Sequence, residues 1–352
     1  MILKEAETRK NEVSEAVSTV YIGGGTPSLL SPDLLKRLVN GLRNIFDFSH
    51  SVEFTSEANP GTVTKQWLMA AADVGINRLS IGMQAFQDHI LSFLGRIHRF
   101  EDVIHSVALA RESGIGNINL DLMFGIPGQT FTDWSETLDA ALSLRPEHIS
   151  AYGLIPEEGT PLYCDLEKHL YDLPDPDTER QMYDEAINKL KKAGLFQYEI
   201  SNFAQLGFEC KHNIGYWTQI PYIGIGVSAA SMTGLSAGMN GMTYIRRTNT
   251  ESMQEYRRLV TAGALPGSIE KINPAEARFE TMMLGLRMNK GINEAAFLRM
   301  HGISVEKSFG NRLTDLLKKG LILHQAGSWK LSRRGFDIQN SVLVELMDEP
   351  VS

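Results

Sequence analysis

The chain has 352 residues, of which 43% are hydrophobic and 22% are charged, and this balance excludes a disordered, collagen-like or coiled-coil protein. Its 34 basic and 42 acidic residues give a net charge of −8, which disfavours nucleic acid or an anionic membrane as a partner. Two cysteines, Cys164 and Cys210, are too few for a disulfide framework. No secretory signal follows Met1. We therefore expect a soluble, cytoplasmic protein.

Residues 1–18 have the pattern of an amphipathic helix, and a parallel α/β arrangement is predicted from Val20 to about Ile200. In that region β-branched runs alternate with amphipathic segments, which predicts parallel strands joined by right-handed helical crossovers. The predicted strands are 20–22, 52–54, 78–81, 118–121, 149–152 and 198–200. Helices are predicted from Ser31 with Leu34 and five further apolar residues facing inward, from about Glu101 with Ile104 among the inward residues, and from Thr132.

The pattern changes after about residue 245. Residues 246–268 are polar and partly helical in pattern, 274–288 are helical, and 292–331 predict two helices followed by a small β-hairpin, as in a winged helix. Its mixed charge does not favour DNA binding. The stretch 212–245 has no charged residue but is too rich in glycine and polar residues to span a membrane, so we predict a buried strand and loop near a ligand. The predicted domains are 1–205, 206–270 and 271–352.

A glycine turn follows the first predicted strand. Gly23-Gly24-Gly25-Thr26-Pro27-Ser28 allows close backbone approach and presents N–H groups to an anion or carboxylate. It is neither the dinucleotide-binding pattern nor a P-loop, since no lysine follows the glycines. A tight turn without a ligand is the alternative.

Polar residues also follow the later strands, where the ends of parallel strands carry functional groups. They are Glu57-Ala58-Asn59, then Ser80 to Gln84 with Arg96 and His98, then Asp121, and finally Tyr152-Gly153. Each one alone is ordinary. Together they converge on one mouth of a barrel.

Several motifs in fixed order resemble the radical S-adenosylmethionine (radical SAM) group around oxygen-independent coproporphyrinogen III oxidase. They are YIGGGTPSLL (21–30), ExNP (57–60), RLSIGMQAF (78–86), LDLMFGIPGQT (120–130) and EISNFA (199–204). Residues 212–217, HNIGYW, match the HNxxYW motif of the heme chaperone branch, and 278–346 resemble the extra C-terminal domain. The resemblance implies an α/β fold: a partial parallel (β/α) barrel with a C-terminal winged-helix-like α+β domain.

The resemblance also implies a SAM site at the strand ends. Backbone groups of the glycine turn would bind the amino acid moiety of SAM, and Glu57 would be the SAM-binding carboxylate. Gln84 and Asp121 would form hydrogen bonds with the ribose hydroxyls. Arg96 would pair with the SAM carboxylate through its bidentate geometry, and Gly153 would pass close to the adenine. These residues are Gly24, Gly25, Thr26, Glu57, Gln84, Asp121, Arg96 and Gly153.

The chain departs from the family in lacking the CxxxCxxC motif that binds a [4Fe–4S] cluster just after the first barrel strand. Cys164 and Cys210 lie 46 positions apart and far beyond the glycine motif. Residues 1–18 look like the helix that follows that motif. We therefore expect a barrel without its first strand, through truncation of the record or gene rather than adaptation, with no metal ligand and no catalytic residue assigned.

The HNxxYW resemblance implies heme contact near His212, with Tyr216 and Trp217 offering aromatic faces to a porphyrin. Cys210 is a weaker candidate. The first hypothesis is a heme chaperone that delivers heme to apo-proteins such as respiratory enzymes, with transient membrane association through those partners left open. The alternatives are the oxidase itself, which needs the cluster, and an unrelated barrel that binds a phosphorylated molecule. The oligomeric state is not predicted.

Overall fold

A computed structural model describes residues 1–238 and 241–347. Asn240 of the charge-free stretch and residues 348–352 of the predicted C-terminal domain lie outside the described residues. The chain forms two compact units, one comprising Ser18–Asn40 with His50–Cys210, the other Met1–Val17 with Gly41–Ser49 and the chain from Lys211 onward. The predicted boundaries at 205 and 270 stay a prediction. Among the described helices, none has both the length and the apolar character needed to cross a bilayer.

A seven-stranded sheet forms the centre of the first unit. Its strands are β1 (Val17–Ile22), β2 (Phe48–Ala58), β3 (Arg78–Gln84), β4 (Asn117–Phe124), β5 (His148–Gly153), β6 (Phe196–Gln197) and β7 (Asn202–Ala204). Their order is β1-β2-β3-β4-β5-β7-β6, and β2 to β5 pair in parallel. The first five predicted strands are confirmed, and each is longer than predicted by at least two residues.

The sixth predicted strand, 198–200, is wrong. The backbone turns there, and the N–H of Tyr198 donates to the carbonyl of Asn202 at 3.1 Å. Strands β6 and β7 flank this turn as an antiparallel pair, and β7 also runs antiparallel to β5. A parallel neighbour needs a crossover of a dozen or more residues, whereas a short turn can join only antiparallel strands.

The helices up to Lys192 are α1 (Ile2–Arg9), α2 (Pro32–Ile45), α3 (Lys65–Asp73), α4 (Asp88–Phe93), α5 (Phe100–Glu112), α6 (Phe131–Ser143), α7 (Pro161–Glu167) and α8 (Pro176–Lys192). The hydroxyl of Ser31 accepts from the N–H of Leu34 at 3.3 Å, as a helix cap does. The inward orientation predicted for two residues is wrong, since Leu34 is 50% exposed and Ile104 is 44% exposed. The single helix predicted over 1–18 is also wrong, because α1 ends at Arg9 and β1 begins at Val17.

Trp134 on α6 is fully buried in the first unit. Its indole N–H donates to the carbonyl of Met182 at 2.7 Å, and its ring lies 5.3 Å from that of Phe124. We expect Trp134→Ala to lower the free energy of unfolding by about 3–5 kcal/mol, because it removes a large buried side chain and leaves a cavity. Urea unfolding of the variant checks this. Phe131→Ala, on the same helix at a site 38% exposed, should cost much less, and equal losses would contradict the prediction.

In the second unit a three-stranded antiparallel sheet has the order β10-β9-β8. The elements are α9 (Lys211–Trp217), β8 (Ala230–Gly238), β9 (Gly241–Thr248), α10 (Met253–Thr261) and β10 (Ser268–Ile272). The charge-free stretch therefore contains a helix in addition to strand and loop, which the prediction omitted. One face of the sheet is buried through Met232, Met242, Tyr244 and Ile272.

The C-terminal part has the predicted winged-helix-like order, with a helix pair followed by a hairpin. Its elements are α11 (Pro274–Gly285), β11 (Ile292–Asn293), α12 (Glu294–His301), α13 (Val305–Lys318), β12 (Ile322–Gln325), β13 (Ser328–Leu331), α14 (Arg333–Asp337) and α15 (Gln339–Leu346). The short strands pair in the order β11-β13-β12. A core of buried side chains that includes Leu286, Phe297 and Trp329 joins the helices to this sheet.

Helix α1 carries a buried carboxylate that is bonded to residues much later in the chain. Glu5 accepts from the backbone N–H of Gly226 at 2.9 Å, from the amide of Asn249 at 2.7 Å and from the hydroxyl of Tyr256 at 2.6 Å. All three partners belong to the same unit as α1. Because a buried carboxylate is costly unless it is hydrogen-bonded, these contacts fix the position of α1.

Candidate functional site

A cavity of about 440 Å³ opens at the C-terminal ends of β1 to β5. Six of the eight residues predicted to bind SAM line it, namely Gly25, Thr26, Glu57, Gln84, Arg96 and Asp121. The other two do not line it: the N–H of Gly24 bonds to Glu57, and Gly153 lies beside Phe124 and Glu179. Its neighbour Tyr152 lines the cavity instead.

The glycine turn is braced by the end of β2. The N–H of Gly24 donates to one oxygen of Glu57 at 3.0 Å, and the hydroxyl of Tyr21 donates to the other at 3.0 Å. Gly24 and Gly25 have φ values of 79° and 67°, a region that favours glycine. Burial, as the largest cause, and the negative charge of Glu57, as the second, raise the pKa of Tyr21 well above its usual value. The hydroxyl of Tyr21 therefore remains a donor. Glu57 therefore holds the turn in shape.

Sequence reasoning did not assign Tyr21 to the site. The alternation of side chains along β1 could have indicated Tyr21, because it lies two positions before Gly23 and therefore on the same face of the strand. At Gly23 an added Cβ would lie 2.9 Å from an oxygen of Glu57, so the close approach of turn and carboxylate requires glycine there.

Asp121 is half-buried, lines the cavity and accepts two side-chain hydrogen bonds. Ser80 donates to one oxygen at 2.8 Å, and the amide of Asn119 donates to the other at 2.9 Å. Burial raises the pKa of Asp121, while these two bonds act in the opposite direction. The carboxylate is thus held in one orientation, facing the cavity.

A chain of buried hydrogen bonds continues from Asn119 through the interior of the sheet. Nδ1 of His148 lies 2.6 Å from the amide oxygen of Asn119, and its Nε2 lies 2.9 Å from the hydroxyl of Tyr198. Burial lowers the pKa of His148 well below its usual value, so the ring is neutral. A neutral ring with its proton on Nδ1 donates to Asn119 and accepts from Tyr198.

The two cysteines lie away from the cavity. Cys210 is fully buried, its N–H donates to the hydroxyl of Tyr198 at 3.3 Å, and its thiol lies 3.5 Å from an oxygen of Glu53. Cys164 is exposed on α7. Since a [4Fe–4S] cluster needs several thiolates at one place, the residues present do not fit that cluster, whereas the donors of the cavity fit SAM.

Helix α9 carries the three residues predicted to contact heme and brings two of them, His212 and Tyr216, together. Nε2 of His212 lies 2.9 Å from the hydroxyl of Tyr216, and the two rings meet edge to face with centroids 4.8 Å apart. Tyr216 also meets Tyr222 edge to face at 4.7 Å. Tyr216 is 39% exposed and His212 is half-buried. The guanidinium of Arg287 lies over the ring of Trp217, 5.3 Å from its centroid.

Two family models match the chain. The radical SAM superfamily matches residues 1–141, and the HemN C-terminal domain matches residues 272–338. Among solved structures, coproporphyrinogen III oxidase (HemN) from Escherichia coli superimposes with a TM-score of 0.79 over 98% of this chain and 81% of that chain, at 21% identity. That likeness shows the fold: a partial radical SAM barrel with a HemN-type C-terminal domain.

Curated relatives match over most of the chain. The heme chaperone HemW of Bacillus subtilis is 36% identical over 95% of this chain and 86% of its own length. The Escherichia coli HemW is 32% identical over 93% and 83%. Radical S-adenosyl methionine domain-containing protein 1 of Mus musculus is 32% identical over 95% and 76%. On these similarities and the motif on α9, the chain belongs to the HemW heme chaperone family of the radical SAM superfamily.

Proposed function

We propose that this protein binds heme on helix α9 and hands it to heme-accepting apo-proteins in the cytoplasm. The observation that carries the proposal is the placement of His212 and Tyr216 together on the accessible side of a short helix. Imidazole is a common axial ligand of heme iron, and aromatic rings pack against a porphyrin. The names of the relatives support the same function.

Heme would be better accommodated at α9 than in the barrel cavity. The cavity is lined by the carboxylates of Glu57 and Asp121, which an apolar macrocycle would have to strip of solvent. The stretch 212–245 carries no charge, so a porphyrin can be covered there without stranding an ion. Coordination through Nε2 of His212 requires that this atom exchange its bond to Tyr216 for the iron.

In the barrel, we propose that SAM occupies the cavity and is bound by this chain's own residues. Gly25 and Thr26 would offer backbone groups to the amino acid moiety, and Gln84 and Asp121 would hold the ribose hydroxyls. Arg96 would pair with the carboxylate, since a guanidinium matches its geometry. The adenine contact of Gly153 stays a prediction. No step through an iron–sulfur cluster is assigned, because the cysteines do not fit one.

The oxidase alternative is not favoured. HNxxYW is present on α9, and the relatives from Bacillus subtilis and Escherichia coli are named heme chaperones rather than oxidases. The acceptors include respiratory enzymes in this proposal, and any membrane association would come through them. Nucleic acid is not expected as a partner, because the net charge is −8.

A heme titration followed in the Soret band tests the proposal. We expect His212→Ala to shift the Soret band and to raise Kd about tenfold or more, which corresponds to about 1.4 kcal/mol. Asp121→Ala serves as the control and should leave the heme spectrum unchanged, because it alters only the barrel cavity. If His212→Ala and Trp217→Ala both bind heme like the parent, α9 is not the heme site.

A further inference from the structure

A chain of hydrogen bonds leads from the main chain at Cys210 to the carboxylate of Asp121. Three buried side chains form it, those of Tyr198, His148 and Asn119 in that order. None of these three is among the described residues that line the cavity, and all five residues belong to the first unit. His148 and Tyr198 can therefore affect the cavity through Asn119.

The backbone N–H at one end sets the direction of every bond in the chain. An amide N–H can only donate, so the hydroxyl oxygen of Tyr198 accepts from Cys210 at 3.3 Å. Among the described residues, the only other partner of that hydroxyl is Nε2 of His148, at 2.9 Å. The hydroxyl proton therefore points at Nε2. The ring is neutral, because burial lowers the pKa of His148 well below its usual value, so its one proton is on Nδ1.

This tautomer decides which way the amide of Asn119 faces. Nδ1 of His148 donates to the amide oxygen of Asn119 at 2.6 Å, and the hydroxyl of Ser150 donates to the same oxygen at 3.2 Å. The NH₂ group is thereby turned toward Asp121, to which it donates at 2.9 Å. With the opposite tautomer, the bare Nδ1 would favour a flipped amide, whose oxygen would then face the carboxylate.

From this chain of bonds we propose that His148 and Tyr198 are positioning residues of the SAM site. By fixing the amide of Asn119, they hold the carboxylate of Asp121 ready to accept from the ribose hydroxyls, an inference that rests on the proposed binding of SAM in the cavity. A carboxylate has about four lone-pair sites, so one that is supported by fixed donors still has sites free for a ligand.

Two substitutions of similar shape separate the hydrogen bond from the volume of the ring. His148→Asn keeps an N–H donor near the place of Nδ1, whereas His148→Leu has no donor. We expect His148→Leu to weaken SAM binding about tenfold in isothermal titration calorimetry, as loss of a buried hydrogen bond does, and His148→Asn to recover most of that loss. His301→Leu removes a buried histidine of the second unit, so it is the matched control and should bind SAM like the parent.

Nitrogen-15 NMR of the histidine side chains tests the tautomer without SAM. The proposal requires His148 of the parent to be neutral with its proton on Nδ1, and the spectrum of His148→Asn identifies its resonance by loss. Tyr198→Phe should populate the Nε2 tautomer and weaken SAM binding, since Nε2 then receives no proton from a hydroxyl.

Circular dichroism and thermal melting confirm that each variant is folded before titration. Equal weakening by His148→Leu and His148→Asn would overturn the role of the hydrogen bond and leave one of packing. A proton on Nε2 of His148 in a parent that binds SAM, or unchanged binding by His148→Leu, would overturn this inference alone. Failure of the parent to bind SAM would overturn the proposed SAM site and this inference together.

Discussion

Replacing Asp121 by asparagine is expected to weaken SAM binding about a hundredfold, or about 3 kcal/mol. The reason is that the two hydrogen bonds that the ribose hydroxyls would donate to the charged carboxylate are lost or inverted. The substitution keeps the shape of the side chain but leaves one oxygen, instead of two, to accept the bonds that Ser80 and Asn119 donate. Burial raises the pKa of Asp121, so affinity for SAM should also fall on acidification earlier than it would for an exposed carboxylate. Isothermal titration calorimetry at several pH values measures both effects.

Two variants complete that experiment. Asp172→Asn, in an exposed loop, is the matched control and should bind SAM like the parent. Gly25→Val should reduce binding, because Gly25 has a φ of 67° that a β-branched residue rarely adopts. Equal binding by the parent, Asp121→Asn and Gly25→Val would show that SAM does not occupy the cavity.

The chain as given is expected to hold no stable [4Fe–4S] cluster after anaerobic reconstitution with iron and sulfide. Cluster ligation needs several thiolates at one place, and Cys210 is buried against Glu53 while Cys164 is exposed on α7. Iron analysis and the visible absorption of the desalted protein measure the outcome. Cys164→Ser and Cys210→Ser should give the same background iron as the parent.

The opposite result has a clear form. A reproducible cluster spectrum with [4Fe–4S] stoichiometry, lost on substitution of either cysteine, would show that our interpretation of Cys164 and Cys210 is wrong. Adventitious iron, by contrast, would be equal in all three proteins and would be removed by a chelator.

The sequence pattern was sufficient for the parallel strands but not for the end of the sheet. The predicted parallel strands have apolar residues at alternate positions, as Ile118 and Leu120 or Ile149 and Ala151 do. Residues 198–200 have a similar composition, yet Tyr198 and Glu199 are turned inward by a hairpin that bonds Tyr198 to Asn202. Such a hairpin depends on contacts with β5, which no local pattern contains.

Much of the cavity was predictable, because polar residues at the ends of successive parallel strands must meet. The hydrogen bonds beneath it were not. Asn119 shares a strand face with Asp121, and alternation indicated that, but His148 and Tyr198 join the chain only through three-dimensional contact. The HNxxYW motif could be identified in the sequence, whereas the contact between Trp217 and Arg287 could be found only in the folded structure.

The buried carboxylate of Glu5 has a consequence for the order of events during synthesis. Its three partners follow it by 221, 244 and 251 residues. At ordinary translation rates of about 5–20 residues per second, about 10–50 s separate the emergence of Glu5 from that of its partners. Helix α1 therefore remains without these contacts, its carboxylate in water, while Ser18–Asn40 and His50–Cys210 are completed by residue 210. Helix α1 is thus made before most of the first unit, yet it reaches its native contacts only after that unit is complete.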